Sequence, residues 1–328
     1  MRAWLPERQL YGPEPARDRD IEGLNHVFAD AFTDRYRRDG LVGVRVPYLN
    51  PPVWRYALSD AGEGAMVWRD EKERIAAFNV AHRSGSEGWM GPLAVRPDRQ
   101  GMGFGKTVVR AAVEWLIGQG VGTLGLETMP RTVENIGFYA RLGFAPGYLT
   151  VTMTRDFGVR GHAAPALLSE RAVTAREEAT RAARALVAEI ASPSASHPAP
   201  DFTREIALTA ELGLGDTTLV EGAAGLDAFV VWHSTPLAEG RAPEEVRILK
   251  LAARDEQPFL AAIAATEAAA ARIGMRRVAV RCQTRHESVF RLLIERGYRV
   301  RWTDLRMTYE GYPEAHPASG VVFSNWEI

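Results

Sequence analysis

Apolar side chains recur along the first half of the chain with two periods, one typical of helices and one typical of strands. Between residues 20 and 32 they stand three or four positions apart, and Asp20 precedes them as an amino cap, which predicts a first helix. Two shorter apolar runs, at residues 64–70 and 74–83, are separated by charged residues and predict a β-hairpin.

Segments with strand and helix periods then alternate. The predicted strands lie at residues 89–95 and 123–128, and the predicted helices at 106–117, 134–142 and 168–190. Gly143 follows the second of these helices, at a position where glycine commonly ends a helix. Residues 191–200 contain three prolines and break the pattern. Strands and helices that alternate along the chain predict a mixed fold, classed here as α/β (α+β).

The chain also resembles itself at an offset of 154 residues. Residues 123–144 then lie over 277–298 without a gap, and Gly143 meets Gly297. Such self-similarity predicts that one fold occurs twice in the chain.

The same offset extends the match toward the amino terminus of each copy. It places residues 76–80 over 230–234, and residues 93–95 over 247–249. We therefore expect a first domain at residues 1–160 and a second at residues 161–328, with the boundary between residues 158 and 164.

Composition excludes several classes of function. The 328 residues include 40 basic and 41 acidic side chains, and a net charge of -1 argues against a nucleic acid or an anionic membrane as partner. The one cysteine, Cys282, excludes an internal disulfide, and no Cys/His cluster has zinc spacing, so no metal is expected. The first residues lack the apolar core of a signal peptide, so we expect a cytoplasmic protein without membrane segments.

A glycine-rich segment, RPDRQGMGFGKT at residues 96–107, lies between a predicted strand and a predicted helix. A P-loop for nucleoside triphosphates would need a glycine where Gln100 stands, and a dinucleotide-binding Rossmann turn would need one at Lys106 or Val108. The spacing from Gln100 to Gly105 instead favours a pyrophosphate held by backbone N–H groups at the positive end of a helix.

Three segments together resemble the GNAT superfamily of acyl-CoA-dependent N-acyltransferases. They are the strand GPLAV at residues 91–95, the glycine-rich loop at 96–106, and FYARLGF at 138–144. The resemblance covers residues 18–155 well and reaches the remainder weakly, through the repeat. It implies two GNAT-like domains, each a mixed, mostly antiparallel sheet flanked by helices, with acetyl-CoA as co-substrate.

The resemblance also implies which residues contact the co-substrate. They are Leu93, Ala94, Val95, Gln100, Gly101, Met102, Gly103, Phe104, Gly105, Lys106, Thr107, Asn135 and Tyr139. Leu93 N–H would polarise the thioester carbonyl. Tyr139 would protonate the departing thiolate, because a phenol with a pKa near 10 stays protonated at neutral pH. Family members often carry Asn where this chain has Thr132, so either Thr132 or Asn135 is a candidate contact.

The base that deprotonates the attacking amine has several candidates. Glu87 and Glu127 are the main ones, acting directly or through water, and His82 on the predicted hairpin is a third. In some tandem members of the family the terminal carboxylate of the chain enters the first site, which makes Ile328 a minor candidate.

Aromatic residues near the first helix can line an acceptor pocket or belong to the core. They are Tyr36, Trp54 and Trp89, together with Tyr48 and Tyr56. The acceptor itself is left open among a small amine, an aminoglycoside, an amino acid and a protein or peptide amino terminus. A non-catalytic acyl-CoA-binding or sensing protein is the alternative to an N-acetyltransferase, and a nucleotide-binding protein is a third hypothesis.

The second copy lacks the features of the pyrophosphate loop. At the offset of 154, Gln100 is replaced by Arg254, Gly101 by Asp255 and Tyr139 by Leu293. We therefore expect the second copy to keep the fold without binding CoA, as a scaffold, a homodimer surface or one wall of the substrate site.

Overall fold

The computed structural model describes residues 9–157, 165–191, 199–317 and 319–326. The first half contains β1 (Tyr11–Pro15), α1 (Ile21–Arg38), α2 (Pro51–Ala61), β2 (Ala65–Arg69), β3 (Ile75–Ser84), β4 (Glu87–Val95), α3 (Phe104–Gly118), β5 (Thr123–Thr128), α4 (Val133–Ala140) and β6 (Phe144–Asp156). The second half contains β7 (Ala166–Leu167), α5 (Val173–Ala191), α6 (Thr203–Glu211), β8 (Gly215–Gly222), β9 (Gly225–His233), β10 (Glu245–Ala253), α7 (Glu256–Arg272), β11 (Arg277–Gln283), α8 (Glu287–Glu295), β12 (Arg299–Tyr309) and β13 (Val321–Ser324).

The predicted elements of the first half are confirmed, and α1 is longer than predicted. Its extension beyond residue 32 is partly exposed and carries ion pairs one turn apart, between Arg35 and Asp39 and between Arg38 and Asp34, which support a helix. The long helix of the second half begins at Val173 instead of residue 168. The preceding residues form a 3₁₀ turn, and both the backbone N–H and the hydroxyl of Ser169 donate to Asp216.

The sheet is mixed and runs through both halves of the chain. Its order is β1-β2-β3-β4-β5-β12-β6-β11-β10-β9-β8-β7, and β13 pairs with β10. Each strand from β1 to β6 has a counterpart six numbers later, so the order is the same when read from either edge. The sheet therefore has a pseudo-twofold axis between β12 and β6.

The two halves exchange their last long strands at this axis. β12 of the second half pairs with β5 of the first, and β6 of the first half pairs with β11 of the second. The two registers are equivalent, because Gly125 faces Thr308 and Ala279 faces Thr154, which are the same positions shifted by 154. The mixed α/β fold predicted from the sequence is confirmed, and this exchange is a feature that periodicity did not reveal.

The offset of 154 is wrong for the strands that precede β5 and β11. Glu87 pairs with Thr123 and Glu245 with Arg277, so β10 matches β4 at an offset of 158, and Leu93 corresponds to Leu251. The offset changes by four for two reasons. Residues 96–103 separate β4 from α3, whereas only two residues separate β10 from α7, and α7 is 17 residues long where α3 has 15.

Strand β3 of the first hairpin and its counterpart β9 correspond at a third offset. Phe78 faces Ala94 across β3 and β4, and Phe229 faces Ala252 across β9 and β10, so Phe78 corresponds to Phe229. The proposed boundary at residues 158–164 lies outside the described residues.

Helices cover both faces of the sheet. Val67 and Phe78 point toward α1 and α2, while their neighbours Met66 and Ala77 pack with Val108 of α3 on the other face. The same alternation along β4 places Ala94 and Val95 on opposite faces. This arrangement leaves the carboxyl end of β4 between the first helices and α3.

A buried cluster of charges lies beside the pseudo-twofold axis. Glu127 and Arg281 occupy equivalent positions on β5 and β11, and Arg281 Nη2 donates to Glu127 Oε2. Arg306 Nε lies 3.2 Å from Glu127 Oε1, and Thr150 Oγ1 donates to the same oxygen at 2.5 Å. Asp304 Oδ2 accepts from Arg281 at 3.1 Å. The cluster therefore joins strands of both halves through opposite charges.

We expect Arg281→Leu to destabilise the whole chain. The substitution leaves the buried Glu127 carboxylate without one of its two guanidinium partners, and removing one partner of a buried pair costs about 3–5 kcal/mol. Urea denaturation followed by circular dichroism measures the loss.

Arg277→Leu is the matched control on the same strand. Arg277 pairs with Asp156 at 2.7 Å, but their side chains are 36% and 57% exposed, so we expect a loss of at most about 1 kcal/mol. Equal losses in the two variants would contradict the special role of the buried cluster.

Candidate active site

β4 and β5 separate halfway along their length. They pair in parallel from Glu87–Met90 to Thr123–Leu126, and pairing stops there. A β-bulge lies at this point, because the two residues of β4 between Met90 and Leu93 lie opposite a single residue of β3, Val80. Beyond it, no strand pairs with the β5 side of residues 91–95 in the described part of the chain. The separation opens a cleft with free backbone groups along one wall.

Two connected cavities occupy this cleft. The inner one measures about 330 Å³ and the outer one about 450 Å³. Five residues line both, namely Phe32, Leu93, Met129, Asn135 and Tyr139. The two cavities therefore form one channel that passes Leu93 and Tyr139.

The glycine-rich loop forms one end of the outer cavity. Gln100, Gly101 and Gly105 line it, and the Gln100 side chain donates to Val95 O at 2.9 Å, which fixes the loop to the end of β4. Gly101 has a φ of 76° and Gly103 a φ of 85°, in the left-handed region that favours glycine. The loop ends at the amino terminus of α3, where unpaired N–H groups and the helix dipole favour an anion.

The predicted co-substrate contacts divide into two groups. Leu93, Ala94, Val95, Gln100, Gly101, Gly105, Asn135 and Tyr139 line the outer cavity. Met102, Gly103, Phe104, Lys106 and Thr107 belong to the same loop and helix turn but line neither cavity. Thr132 is buried and donates to Asp39 Oδ2 at 2.7 Å, so of the two alternatives only Asn135 reaches the channel.

Arginines add positive charge to the outer cavity. Arg35 and Arg38 line it but pair with carboxylates, whereas Arg141 lines it without an ion-pair partner among the described residues. Sequence reasoning missed Arg141, although its place two residues after Tyr139 puts it just beyond the same helix.

Tyr139 lies where the two cavities meet. Its side chain is buried beside Phe138 and Phe144, and burial raises the pKa of its phenol above the ordinary value. The group therefore stays protonated at every pH at which the protein is expected to work.

The three candidate bases have different surroundings. Glu127 lines the inner cavity; burial acts to raise its pKa, but Arg281, Arg306 and the Thr150 hydroxyl outweigh burial and lower it. Glu87 is buried, accepts from Ser324 Oγ and lines neither cavity.

His82 is also remote from the channel. Its Nδ1 lies 2.6 Å from Asp60 Oδ2, and its ring stacks on Trp89 at 3.9 Å between centroids, so both side chains belong to the buried interior. Ile328 lies outside the described residues.

Of the predicted acceptor residues, Tyr36 lines the inner cavity. Trp54 is buried in the core, where its Nε1 donates to Asn25 Oδ1 at 2.7 Å. Tyr48 contacts His26, and Tyr56 packs against His233 of the second half.

The second half supplies part of the inner cavity, which the sequence did not reveal. Trp302 and Asp304 of β12, Trp326 after β13, and Leu237 line it together with residues of the first half. The exchange of β12 into the first half brings Trp302 and Asp304 to this position. In the sequence, one feature pointed to this placement: Asp304 is an acidic residue within a strand in which apolar and polar residues otherwise alternate.

The corresponding cleft of the second half is closed by β13. Residues Lys250–Ala253 of β10 pair with β13 on the edge that is open at the end of β4. At the start of α7, Asp255 accepts from Gln257 N at 2.8 Å, so a carboxylate already occupies the amino end of that helix. The described residues of the second half therefore contain no equivalent of the glycine-rich loop.

Comparisons with known proteins agree with this geometry. Residues 26–144 match the sequence model of the acetyltransferase (GNAT) family. Serotonin N-acetyltransferase 2, chloroplastic, of Oryza sativa subsp. japonica is 30% identical over 126 residues, which are 38% of this chain and 56% of the relative. The match thus spans about half the length of that curated relative.

Several solved structures share the fold of nearly the whole chain. A putative acetyltransferase from Pyrococcus horikoshii has a TM-score of 0.67 at 14% identity, over 98% of this chain and 96% of that one. A tandem GNAT protein from the clavulanic acid biosynthesis pathway has a TM-score of 0.59 at 13% identity, over 94% of this chain and 100% of that one. At these identities the likeness shows the fold alone.

No helix in the described ranges is both long and apolar enough to cross a membrane. The matched family segment contains β4, the glycine-rich loop, α3 and Tyr139, which are the parts that build the channel. Residues 26–144 are therefore the part of the chain that is similar to the acetyltransferase (GNAT) family.

Proposed function

We propose that the protein is an N-acetyltransferase that transfers the acetyl group of acetyl-CoA to a primary amine. The observation that carries the proposal is the continuous channel from the glycine-rich loop to the inner cavity, with Tyr139 where the two cavities meet. The amine acceptor is supported by the rice relative, which by its name acetylates an amine nitrogen.

The outer cavity suits the CoA part of the co-substrate. The amino end of α3 offers positive charge for phosphates, and so does Arg141, which has no ion-pair partner within the described ranges. Gly101 and Gly103 leave room for them, since a Cβ at either would meet nothing within 4 Å. The open edge of residues 91–95 provides backbone groups for the amides of pantetheine, as in the addition of a strand to a sheet.

The reaction joins the two cavities. The amine attacks the thioester carbon from the inner cavity, while Leu93 N–H stabilises the developing oxyanion. As the C–N bond forms and the C–S bond breaks, Tyr139 donates its proton to the departing thiolate, and the raised pKa of its phenol keeps that proton available.

The second half serves this site without a CoA site of its own. In the described residues β13 closes its cleft, while β12 contributes to the inner cavity. We assign catalysis to the domain at residues 1–160 and the completing wall to the domain at residues 161–328.

We expect Gly105→Asp to weaken acetyl-CoA binding at least about 10-fold, because it adds a carboxylate to a cavity proposed to hold phosphates. An acidic residue in the first turn of a helix is favourable, and the added Cβ meets only the end of the Phe138 ring, at 3.3 Å, so the fold should persist after a small shift of that ring. Isothermal titration calorimetry measures the change in Kd.

Gly118→Asp is the control, since it makes the same substitution at the far end of α3, where a Cβ meets nothing within 4 Å. It should leave Kd unchanged. Equal affinities in both variants would remove the loop from the binding site.

We expect Tyr139→Phe to lower kcat about 100-fold, the usual contribution of a general acid, with little change in KM for acetyl-CoA. The substitution keeps the ring and its contacts with Phe138 and Phe144. Release of CoA thiol in the presence of an amine measures the rate, and Tyr148→Phe, at an exposed tyrosine that lines neither cavity, is the control. A variant with full activity would exclude Tyr139 as the acid, and CoA binding without turnover of any amine would favour a sensing protein.

A further inference from the structure

The walls of the inner cavity are mostly apolar, and six of the lining residues are aromatic. Phe28, Phe32 and Tyr36 of α1 form one side, and Trp302 and Trp326 of the second half contribute another. Trp302 remains 37% exposed, so it stands at the rim, while Trp326 is buried. A volume of about 330 Å³ accommodates a small molecule, not a folded peptide segment.

Among the residues that the structure describes, the charged groups lining this cavity are two carboxylates, Glu127 and Asp304. Glu127 already accepts from Thr150 and Arg281 and lies beside Arg306, so it has more partners than Asp304 and two of them are cationic. Asp304 accepts one hydrogen bond at each oxygen, from Trp302 Nε1 and from Arg281 Nη2, both at 3.1 Å.

Asp304 therefore has acceptor capacity left. A carboxylate offers about four lone-pair positions, of which these two hydrogen bonds use two. Its side chain is 3% exposed, so a partner that reached it would do so inside the cavity, shielded from water.

We propose that the inner cavity binds a small primary amine on an aromatic or otherwise apolar carbon body, and that Asp304 holds the amine and accepts its proton. This inference rests on the acetyl transfer proposed above. The aromatic side chains bury the body of such a molecule, and the Trp302 ring also favours a cationic group, whereas the Trp326 ring already has the Arg306 guanidinium over it at 3.6 Å.

The same lining disfavours other acceptors. An amino sugar would bury hydroxyl groups against aromatic rings without enough partners, which costs free energy. An amino acid would bring its carboxylate next to Glu127 and Asp304, while Arg281 and Arg306 are already paired with these acids.

The protons balance in the following way. The ammonium gives one proton to the Asp304 carboxylate, and the free amine attacks the thioester carbon. The C–N bond forms, the C–S bond breaks, and the thiolate takes the proton of Tyr139. The second proton lost by the nitrogen restores the phenol, and Asp304 releases its proton to solvent, so the products are the amide, CoA thiol and one proton.

The charges around Asp304 favour this role. Burial raises the pKa of Asp304, Arg281 lowers it and Glu127 raises it, with the net effect upward. Arg306 lies two positions along β12 but pairs with Glu127 and Glu314. A carboxylate with a raised pKa is a stronger base than an ordinary one.

The test compares amines and variants in one thiol-release assay. The panel contains 2-phenylethylamine, glucosamine and phenylalanine, each with acetyl-CoA. We expect kcat/KM for 2-phenylethylamine to exceed the other two values by at least about 100-fold. A preference for glucosamine or phenylalanine would overturn the inference and leave acetyl transfer standing, whereas bound acetyl-CoA without turnover of any amine would overturn both.

Asp304→Asn keeps the shape of the side chain and removes its basicity. We expect kcat/KM for 2-phenylethylamine to fall about 100-fold, with the Kd of acetyl-CoA unchanged, the acidic limb of the pH profile lost, and partial rescue in Asp304→Glu. Asp156→Asn is the matched control, because it alters an exposed aspartate that also pairs with an arginine. Wild-type rates and an unchanged pH profile in Asp304→Asn would overturn the assignment.

Discussion

The reciprocal exchange of β6 and β12 is the constraint on which the rest of the structure depends. Each strand leaves its own half and pairs in the sheet of the other, and Glu127 and Arg281 meet where the strands cross over. Buried opposite charges are stable only when they stay together, so the two halves are held in one relative position. The channel inherits this arrangement, because one of its walls is formed by β12.

The two halves differ in a way that small local changes explain. Eight residues at 96–103 give the first half a loop before α3, whereas the two residues before α7 leave no room for one. β13 then pairs with the edge of β10 that stays open in β4. One fold therefore forms a channel in the first half and a closed sheet in the second, without any change in strand order.

Local sequence patterns predicted those features whose structure depends on neighbouring residues. The spacing of apolar residues located the first helix and the hairpin, and the glycines at 101, 103 and 105 located the loop, because backbone conformation there depends on a few neighbouring residues. Gly143 and Gly297 have φ values of 95° and 93°, so the equivalence deduced from the repeat extends to their backbone conformation.

Features that depend on distant strands escaped prediction. Insertions of a few residues shifted the repeat in β9 and β10, and an alignment without gaps cannot show such shifts. Asp304 reaches the inner cavity only because β12 crosses into the other half, and Glu127 is surrounded by cations that arrive from β11 and β12. Neither placement follows from the residues that flank these positions.

The Glu127–Arg281 pair has a consequence for the origin of the molecule. In an ancestral homodimer of identical chains, both positions would carry the same residue, and two glutamates or two arginines would repel each other there. After gene duplication and fusion, the two equivalent positions can mutate independently. Positions that are encoded separately can carry an acid at one and a base at the other, and the same freedom permits one of two ancestral clefts to be lost while its twin is retained.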